Sequence, residues 1–179
     1  MTHVLLTGGA RSGKSALAVA LAERQSAHVV FLATGQAGDD EMAARIARHG
    51  AERPAHWRTV EEPVALLEAM RTVDPAACLV VDCISLWVAN LLATADSAAI
   101  EHAAAAAADA AAARPGTTIA VTTEVGLGIV PATPLGREYR DLLGRANAIW
   151  AERAEEAYLV VAGRLLALLA ASEVLAQGR

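Results

Sequence analysis

An α/β fold, with a mainly parallel sheet and helices on both of its faces, is what the sequence predicts. Three observations carry this. Apolar runs of strand length recur at Val4-Leu5-Leu6, His28 to Thr34, Cys78 to Asp82, Thr117 to Thr122 and Ala157 to Val161. Such unbroken runs suit strands buried on both faces, as parallel strands are. Segments with apolar residues at three- and four-residue steps alternate with them, which is the pattern of a parallel sheet with crossover helices. The first run leads into Gly8-Gly9-Ala10-Arg11-Ser12-Gly13-Lys14-Ser15 and then a helical segment. A G-x-x-x-x-G-K-[ST] pattern between strand and helix makes the fold P-loop NTPase-like.

In that loop the glycines let successive N–H groups point inward at phosphate oxygens. The helix beginning near Gly13 adds the positive end of its dipole. Lys14 is expected to reach the β- and γ-phosphates and the Ser15 hydroxyl to ligate Mg²⁺. Lys14 is also the only lysine in the chain. A compact ammonium stands where a point charge between phosphates is required, and arginine serves everywhere else.

Ala16, Leu17, Ala20 and Leu21 continue at helical spacing to about Gln25. The strand at 28–34 ends in Ala33-Thr34, and Gly35 to Gly38 reads as a turn. Asp39-Asp40-Glu41 puts acids at a helix start, and Met42, Ile46 and His49 carry that helix to a stop at Gly50. Arg45 and His49 would share a face. Pro54 excludes further helix, and Trp57 to Val60 reads as a short strand. Glu61-Glu62-Pro63 reads as the start of a helix whose Val64, Leu67 and Met70 face inward, broken at Asp74-Pro75. After the strand ending at Asp82, Ile84 to Ala93 is helical. Asp96-Ser97 and the alanines from Ala98 to Ala113 form a thin, closely packed helix, alanine being the best helix former. Glu124 to Pro134 is a loop long enough to be functional. Leu135 to Ala154 is a helix, Ala157 to Val161 a buried strand, and Leu165 to Leu175 fits either a short helix or a strand with a tail.

No linker or composition shift divides the 179 residues, so one nucleotide-binding domain spanning 1–179 is expected. The apolar fraction of 55% is rich in alanine, and aromatics make up only 3%, so Leu, Val, Ile and Ala must fill the core. With a net charge of −5 and no basic tract, nucleic-acid binding is not expected. No uninterrupted apolar span suggests a membrane segment, and the chain starts directly on a strand, so a cytoplasmic protein is expected. Cys78 and Cys83 match no zinc spacing and read as reduced packing residues.

Asp82 ends an apolar strand, where a second Mg²⁺-associated acid belongs in a P-loop protein. His49 sits among Arg45, Arg48 and Arg53, with His56 and Arg58 beyond. A histidine in that setting is commonly a solvated surface residue. The alternative is a nucleophile, because neutral imidazole is available near pH 7 and arginines hold anionic phosphates for in-line attack. Glu124-Val125-Gly126-Leu127-Gly128-Ile129-Val130-Pro131 leaves the end of a strand and is either a surface loop or one that closes over a substrate. An Asn-Lys-x-Asp guanine-reading element is impossible with Lys14 as the only lysine. On the residues alone three readings stand: a nucleotidyl-transferring enzyme, a P-loop small-molecule kinase with His49 on the surface, and a non-catalytic nucleotide-binding module.

Further stretches then appear in order: Ala33-Thr34-Gly35, Asp-Asp-Glu-Met-Ala-Ala-Arg-Ile at 39–46, and His49 ahead of Arg53-Pro54. His56-Trp57-Arg58-Thr59 and Glu61, Val-Asp-Cys-Ile-Ser-Leu-Trp-Val-Ala-Asn-Leu-Leu at 81–92 and Glu-Val-Gly-Leu-Gly-Ile-Val-Pro at 124–131 follow. With the phosphate loop, these resemble the bifunctional adenosylcobinamide kinase/adenosylcobinamide-phosphate guanylyltransferase family of cobalamin biosynthesis, over nearly the whole chain. The resemblance implies phosphorylation of adenosylcobinamide with ATP or GTP. GMP is then transferred from GTP to adenosylcobinamide phosphate, releasing pyrophosphate, by way of a GMP–histidine that maps to His49. It also implies nucleotide contacts at 8–15, Ala33, Thr34, Gly35, Gly50, Ala51, Glu52, Arg53, Glu61 and Asp82, and a homotrimer. Thr123 stands where the family often has Asn, Asp82 where some members have Glu, and a single histidine occupies 49.

Overall fold

The structure, a computed structural model, describes residues 2–51, 53–172 and 174; of the α2 side chains introduced below, those of Glu41, Met42, Arg45, His49 and Ala51 lie outside this description. In chain order the elements are β1 (His3–Thr7), α1 (Lys14–Gln25), β2 (Val29–Ala33), α2 (Asp40–Ala51), β3 (Arg58–Glu61), α3 (Leu66–Arg71) and β4 (Cys78–Asp82). Then follow α4 (Ile84–Leu92), α5 (Ser97–Ala113), β5 (Thr118–Val121), α6 (Pro134–Arg153), β6 (Glu156–Val161) and β7 (Arg164–Ala167).

The strands form one seven-stranded sheet in the order β3-β2-β4-β5-β1-β6-β7. Every pairing is parallel except β6 with β7. The alternation of strands and helices thus produces the expected α/β architecture. Strand side chains alternate between two apolar cores. Leu5, Leu32, Leu79, Val81 and Ala120 face one core, with Leu66, Met70, Trp87, Ile100, Leu142 and Trp150 from α3, α4, α5 and α6. Leu6, Phe31, Val80, Ile119 and Val121 face the other, closed by Ala18 and Ala22 of α1 and by Trp57. The small residues on α1 and the buried alanines of α5, Ala104, Ala107, Ala108 and Ala111, let backbones approach closely.

Local chemistry sets the helix ends. The Asp96 carboxylate accepts from the Ala99 N–H at 2.8 Å, and the Thr133 hydroxyl from the Gly136 N–H at 3.1 Å, with Pro134 in the first turn.

Two sequence expectations are corrected and one open alternative is decided. The helix expected from Glu61 begins only at Leu66, because the Glu62 carboxylate accepts from the Val64 and Ala65 N–H groups and holds a turn there. Its buried face is Leu66, Ala69 and Met70, while Val64 is 46% exposed. β6 is not buried on both faces; only Val160 is, because β7 flanks it on the outer side and, among the described residues, no helix covers that end of the sheet. The ambiguous C-terminal segment supplies the edge strand β7. No helix among the described residues is long and apolar enough to cross a membrane.

Candidate nucleotide site

The site is built at the C-terminal ends of β1, β2, β4 and β5. In the loop from Gly8 to Ser15, three residues adopt positive φ: Gly8 at 146°, Arg11 at 55° and Gly13 at 99°. A Cβ on Gly8 would lie 2.3 Å from the Val160 carbonyl oxygen, so no larger residue fits. The Lys14 side chain is buried and folds back over the loop, donating to the Gly8 carbonyl at 2.8 Å and the Gly9 carbonyl at 2.7 Å. The β6–β7 turn supports the loop from below, where the Gly163 N–H donates to the Ser12 carbonyl at 2.8 Å.

Two cavities adjoin the loop and share Ser15, Arg53 and Asp82. One, of about 270 Å³, runs along α1 past Val19, Glu23 and Phe31. The other, of about 220 Å³, lies under α2 and is lined by Ala33, Gly35, Ile46, Ala47, Gly50, Glu61, Cys83 and Leu86 as well. Ile46, Ala47 and Gly50 are one face of α2, which roofs this space.

Between the cavities stands Arg53. Its guanidinium lies 3.7 Å from the centre of the Phe31 ring, a cation–π arrangement. Burial pulls Arg53 down from its ordinary value, while the charges of Asp82 and Glu61 act in the opposite direction. Asp82 closes β4 in register with Ala33 of β2 and Val121 of β5, and a cis peptide bond joins it to Cys83. Burial pushes the Cys83 thiol up to about 11, so it lines the cavity as a neutral group.

Most of the nucleotide contacts expected from the sequence surround these cavities. Ser15, Ala33, Gly35, Gly50, Arg53, Glu61 and Asp82 all line them, beside the loop formed by Gly8, Gly9, Ala10, Arg11, Ser12, Gly13 and Lys14. Thr34 is fully buried beneath. Its hydroxyl donates to the Cys83 carbonyl at 2.7 Å and accepts from the Cys83 N–H at 2.8 Å. Asn90 donates to the Thr34 and Pro63 carbonyls, both at 2.9 Å, and fixes this turn from α4. Glu52 lies outside the described residues, and His49 and Ala51 are described only as backbone positions on α2. The backbone N–H of Glu124 donates to Gly8 at 3.1 Å, while its carboxylate accepts from Gly126 at 2.6 Å and shapes its own loop.

Sequence reasoning missed Phe31 as the platform for Arg53. It also missed a polar network behind the loop. Ser85 donates to the Thr123 hydroxyl at 3.2 Å and Tyr139 to the Ser85 carbonyl at 3.1 Å. Asn147 donates to the Thr123 carbonyl at 3.0 Å and accepts from the Thr122 hydroxyl at 2.6 Å. Two threonines directly after an apolar strand were the available signal.

The chemistry of the donors suits a triphosphate. Lys14 and the loop N–H groups are donors, a serine hydroxyl and a carboxylate offer hard oxygens, and a second carboxylate is a further acceptor on the cavity wall.

Comparison with known proteins agrees. A model of the family described as cobinamide kinase / cobinamide phosphate guanyltransferase matches residues 4–168. A bifunctional adenosylcobalamin biosynthesis protein of Pseudomonas aeruginosa is 46% identical over 160 residues, covering 89% of this chain and 92% of that one. Proteins of the same description from Escherichia coli and Salmonella typhimurium are 42% and 43% identical, each over 89% of this chain and 96% of the relative. A solved type III secretion ATPase superposes with a TM-score of 0.52 at 10% identity, covering 99% of this chain and 61% of that longer one, a likeness of fold alone.

Proposed function

The chain belongs to the cobinamide kinase / cobinamide phosphate guanyltransferase family, and from that premise we propose how one site performs both reactions. It is a bifunctional enzyme of cobalamin biosynthesis, a kinase and a guanylyltransferase. In our reading a single nucleotide-binding domain, 1–179, phosphorylates adenosylcobinamide with ATP or GTP. It then transfers GMP from GTP to adenosylcobinamide phosphate, giving adenosylcobinamide-GDP and pyrophosphate.

The observation that carries this reading is the convergence of Ser15, Gly50, Arg53, Glu61 and Asp82 on one cavity beside Lys14. Lys14 and the loop N–H groups hold the β- and γ-phosphates. Ser15 and Asp82, both on the cavity walls, offer the hydroxyl and carboxylate oxygens that fit Mg²⁺. Bound there, the ion would offset phosphate charge. Ala33, Thr34 and Gly35, with Gly50 to Arg53, form the walls around the nucleoside. Glu61 accepts from the N1 and N2 hydrogens of guanine, hydrogens that adenine lacks at those positions.

His49 lies one residue before Gly50 on the helix that roofs the cavity. Its imidazole nitrogen attacks the α-phosphorus of GTP; a P–N bond forms, the α–β bridging P–O bond breaks, and pyrophosphate leaves. A phosphate oxygen of adenosylcobinamide phosphate then displaces the imidazole, which departs with its lone pair restored. Arg53 offsets charge on the phosphates. The loop from Glu124, whose Leu127 and Ile129 are 81% and 96% exposed, positions the corrinoid. The enzyme works in the cytoplasm as a homotrimer, with no nucleic-acid partner.

The test is product formation from adenosylcobinamide, GTP and Mg²⁺, with both phosphorylated and guanylylated products resolved. Replacing Lys14 with Ala is expected to lower both rates roughly 100-fold or more. Loss of only one rate would contradict a shared cradle.

A further inference from the structure

β5 lies between β1, which carries the phosphate loop, and β4, which ends at Asp82. Leu6, Val121 and Asp82 are level in the sheet register. Any phosphoryl group held between Lys14 and Asp82 therefore sits over the end of β5, and the residues reaching beyond that end are Thr122 and Thr123. Thr122 is turned to α6, where its hydroxyl donates to Asn147.

Thr123 is held from three directions. Its carbonyl accepts from the buried Asn147. Its hydroxyl accepts from Ser85, whose Oγ lies 3.0 Å from Cys83 Sγ. The next residue, Glu124, donates its N–H to Gly8, and that same carbonyl accepts from the Lys14 ammonium. With Ser85 donating into it, the Thr123 oxygen keeps its own proton to give, and among the described residues no acceptor takes it. A fixed hydroxyl with a proton to donate, one residue before the N–H that shares the Gly8 carbonyl with Lys14, is a preorganised donor for developing charge.

We propose that Thr123 is a catalytic residue of the kinase step, donating its hydroxyl proton in a hydrogen bond to the γ-phosphoryl group as that group passes to the substrate hydroxyl. Ser85 is its positioning residue. The inference rests on the two-reaction reading above. In the step, the substrate oxygen forms a bond to the γ-phosphorus and the β–γ bridging P–O bond breaks, leaving the nucleoside diphosphate. The substrate hydroxyl proton passes to a phosphoryl oxygen and from there to solvent. Thr123 gains and loses no proton. Guanylyl transfer breaks the α–β bridge instead, so it depends on Thr123 far less.

Steady-state kinetics of the full chain separate the outcomes, with the kinase assayed on adenosylcobinamide and ATP and the transferase on adenosylcobinamide phosphate and GTP. Thr123→Val, isosteric but without the proton, is expected to lower kinase kcat roughly 100-fold with little change in nucleotide KM. Thr123→Ser is expected to restore most of the rate, and guanylyl transfer to fall by much less than the kinase. Ser85→Ala costs part of the kinase rate, and adding it to Thr123→Val costs nothing further, the signature of one coupled pair. A Thr123→Val enzyme with full kinase kcat overturns the proposal. So does an equal fall in both reactions, accompanied by a lower melting midpoint, which would mark a structural role. A wild-type chain that forms neither product overturns the two-reaction reading itself.

Discussion

Lys14 and His3 are both basic and both buried, at opposite ends of the sheet, and burial acts on them to different purposes. Lys14 keeps company with loop carbonyls at the phosphate end. His3 opens β1 at the other end, its ring edge-on to Trp150 with centroids 5.5 Å apart. Its Nδ1 lies 3.2 Å from the Arg153 carbonyl, so Nδ1 carries the proton, and Nε2 is buried without a partner among the described residues. Desolvation lowers its pKa below the ordinary 6.5, against the smaller raising effects of the Arg153 carbonyl and Glu155. The unfolded chain therefore takes up the proton first as pH falls. The stability contributed by neutral His3 is complete above its ordinary value and is lost as pH drops below it. Thermal melts are expected to show a midpoint falling between about pH 7.5 and 5.5, and falling less in His3→Gln, which keeps a donor for the Arg153 carbonyl. Identical falls in the two proteins would contradict this. At this scale the phosphate loop was legible, because glycine geometry and a lysine charge act locally. Arg53 stacked on Phe31 and the donation of Ser85 to Thr123 were not, since each joins residues far apart in sequence.

Elements were legible where one signal dominated. α1 and α6 follow from periodicity, α5 from its Asp96-Ser97 start and alanine content, and β2, β4 and β5 from apolar runs. α3 deviates because the Glu62 carboxylate accepts from the Val64 and Ala65 N–H groups and so forms a turn of its own ahead of the helix. β6 deviates because its apolar run was read as burial, and burial depends on what covers a strand. α2 stands apart from the other helices: Ile46, Ala47 and Gly50 line the cavity, and the same helix carries His49, the proposed nucleophile. The loop after β5 is tied at both ends, by Glu124 to Gly8 and by Arg137 donating to the Pro131 and Ala132 carbonyls. Its apolar tip between them is left to face solvent.

For the whole molecule, strand order decides where chemistry happens, and strand order was not legible. Nothing local in the chain says that β5 will lie between the loop strand and the Asp82 strand, yet that insertion is what sets Thr123 between the ends of those two strands. The same order leaves β7 as an edge with Leu166, 61% exposed, on the same face as the exposed Val161, and Leu169 70% exposed just beyond the strand. A cluster of this kind marks an association surface, and it fits the proposed trimer. The wild-type chain is expected to show three times its 18.5 kDa mass by light scattering. Joint replacement of Leu166 and Leu169 by Glu is expected to shift it toward the monomer. A wild-type monomer would contradict the assembly. Because Gly163 in the β6–β7 turn donates to the Ser12 carbonyl, this edge also abuts the phosphate loop, and assembly is expected to steady it.

The claim that joins the three scales is that a nucleophile on α2 works on a triphosphate held by the β1 loop. It is tested most directly by incubating the protein with GTP labelled at the α-phosphate and Mg²⁺, without any corrinoid. Acid-labile label is expected on the wild-type chain, appearing as unlabelled pyrophosphate leaves, and is expected to be absent from His49→Asn. A wild-type chain that stays unlabelled while turning over adenosylcobinamide phosphate, or a fully labelled His49→Asn variant, would contradict it.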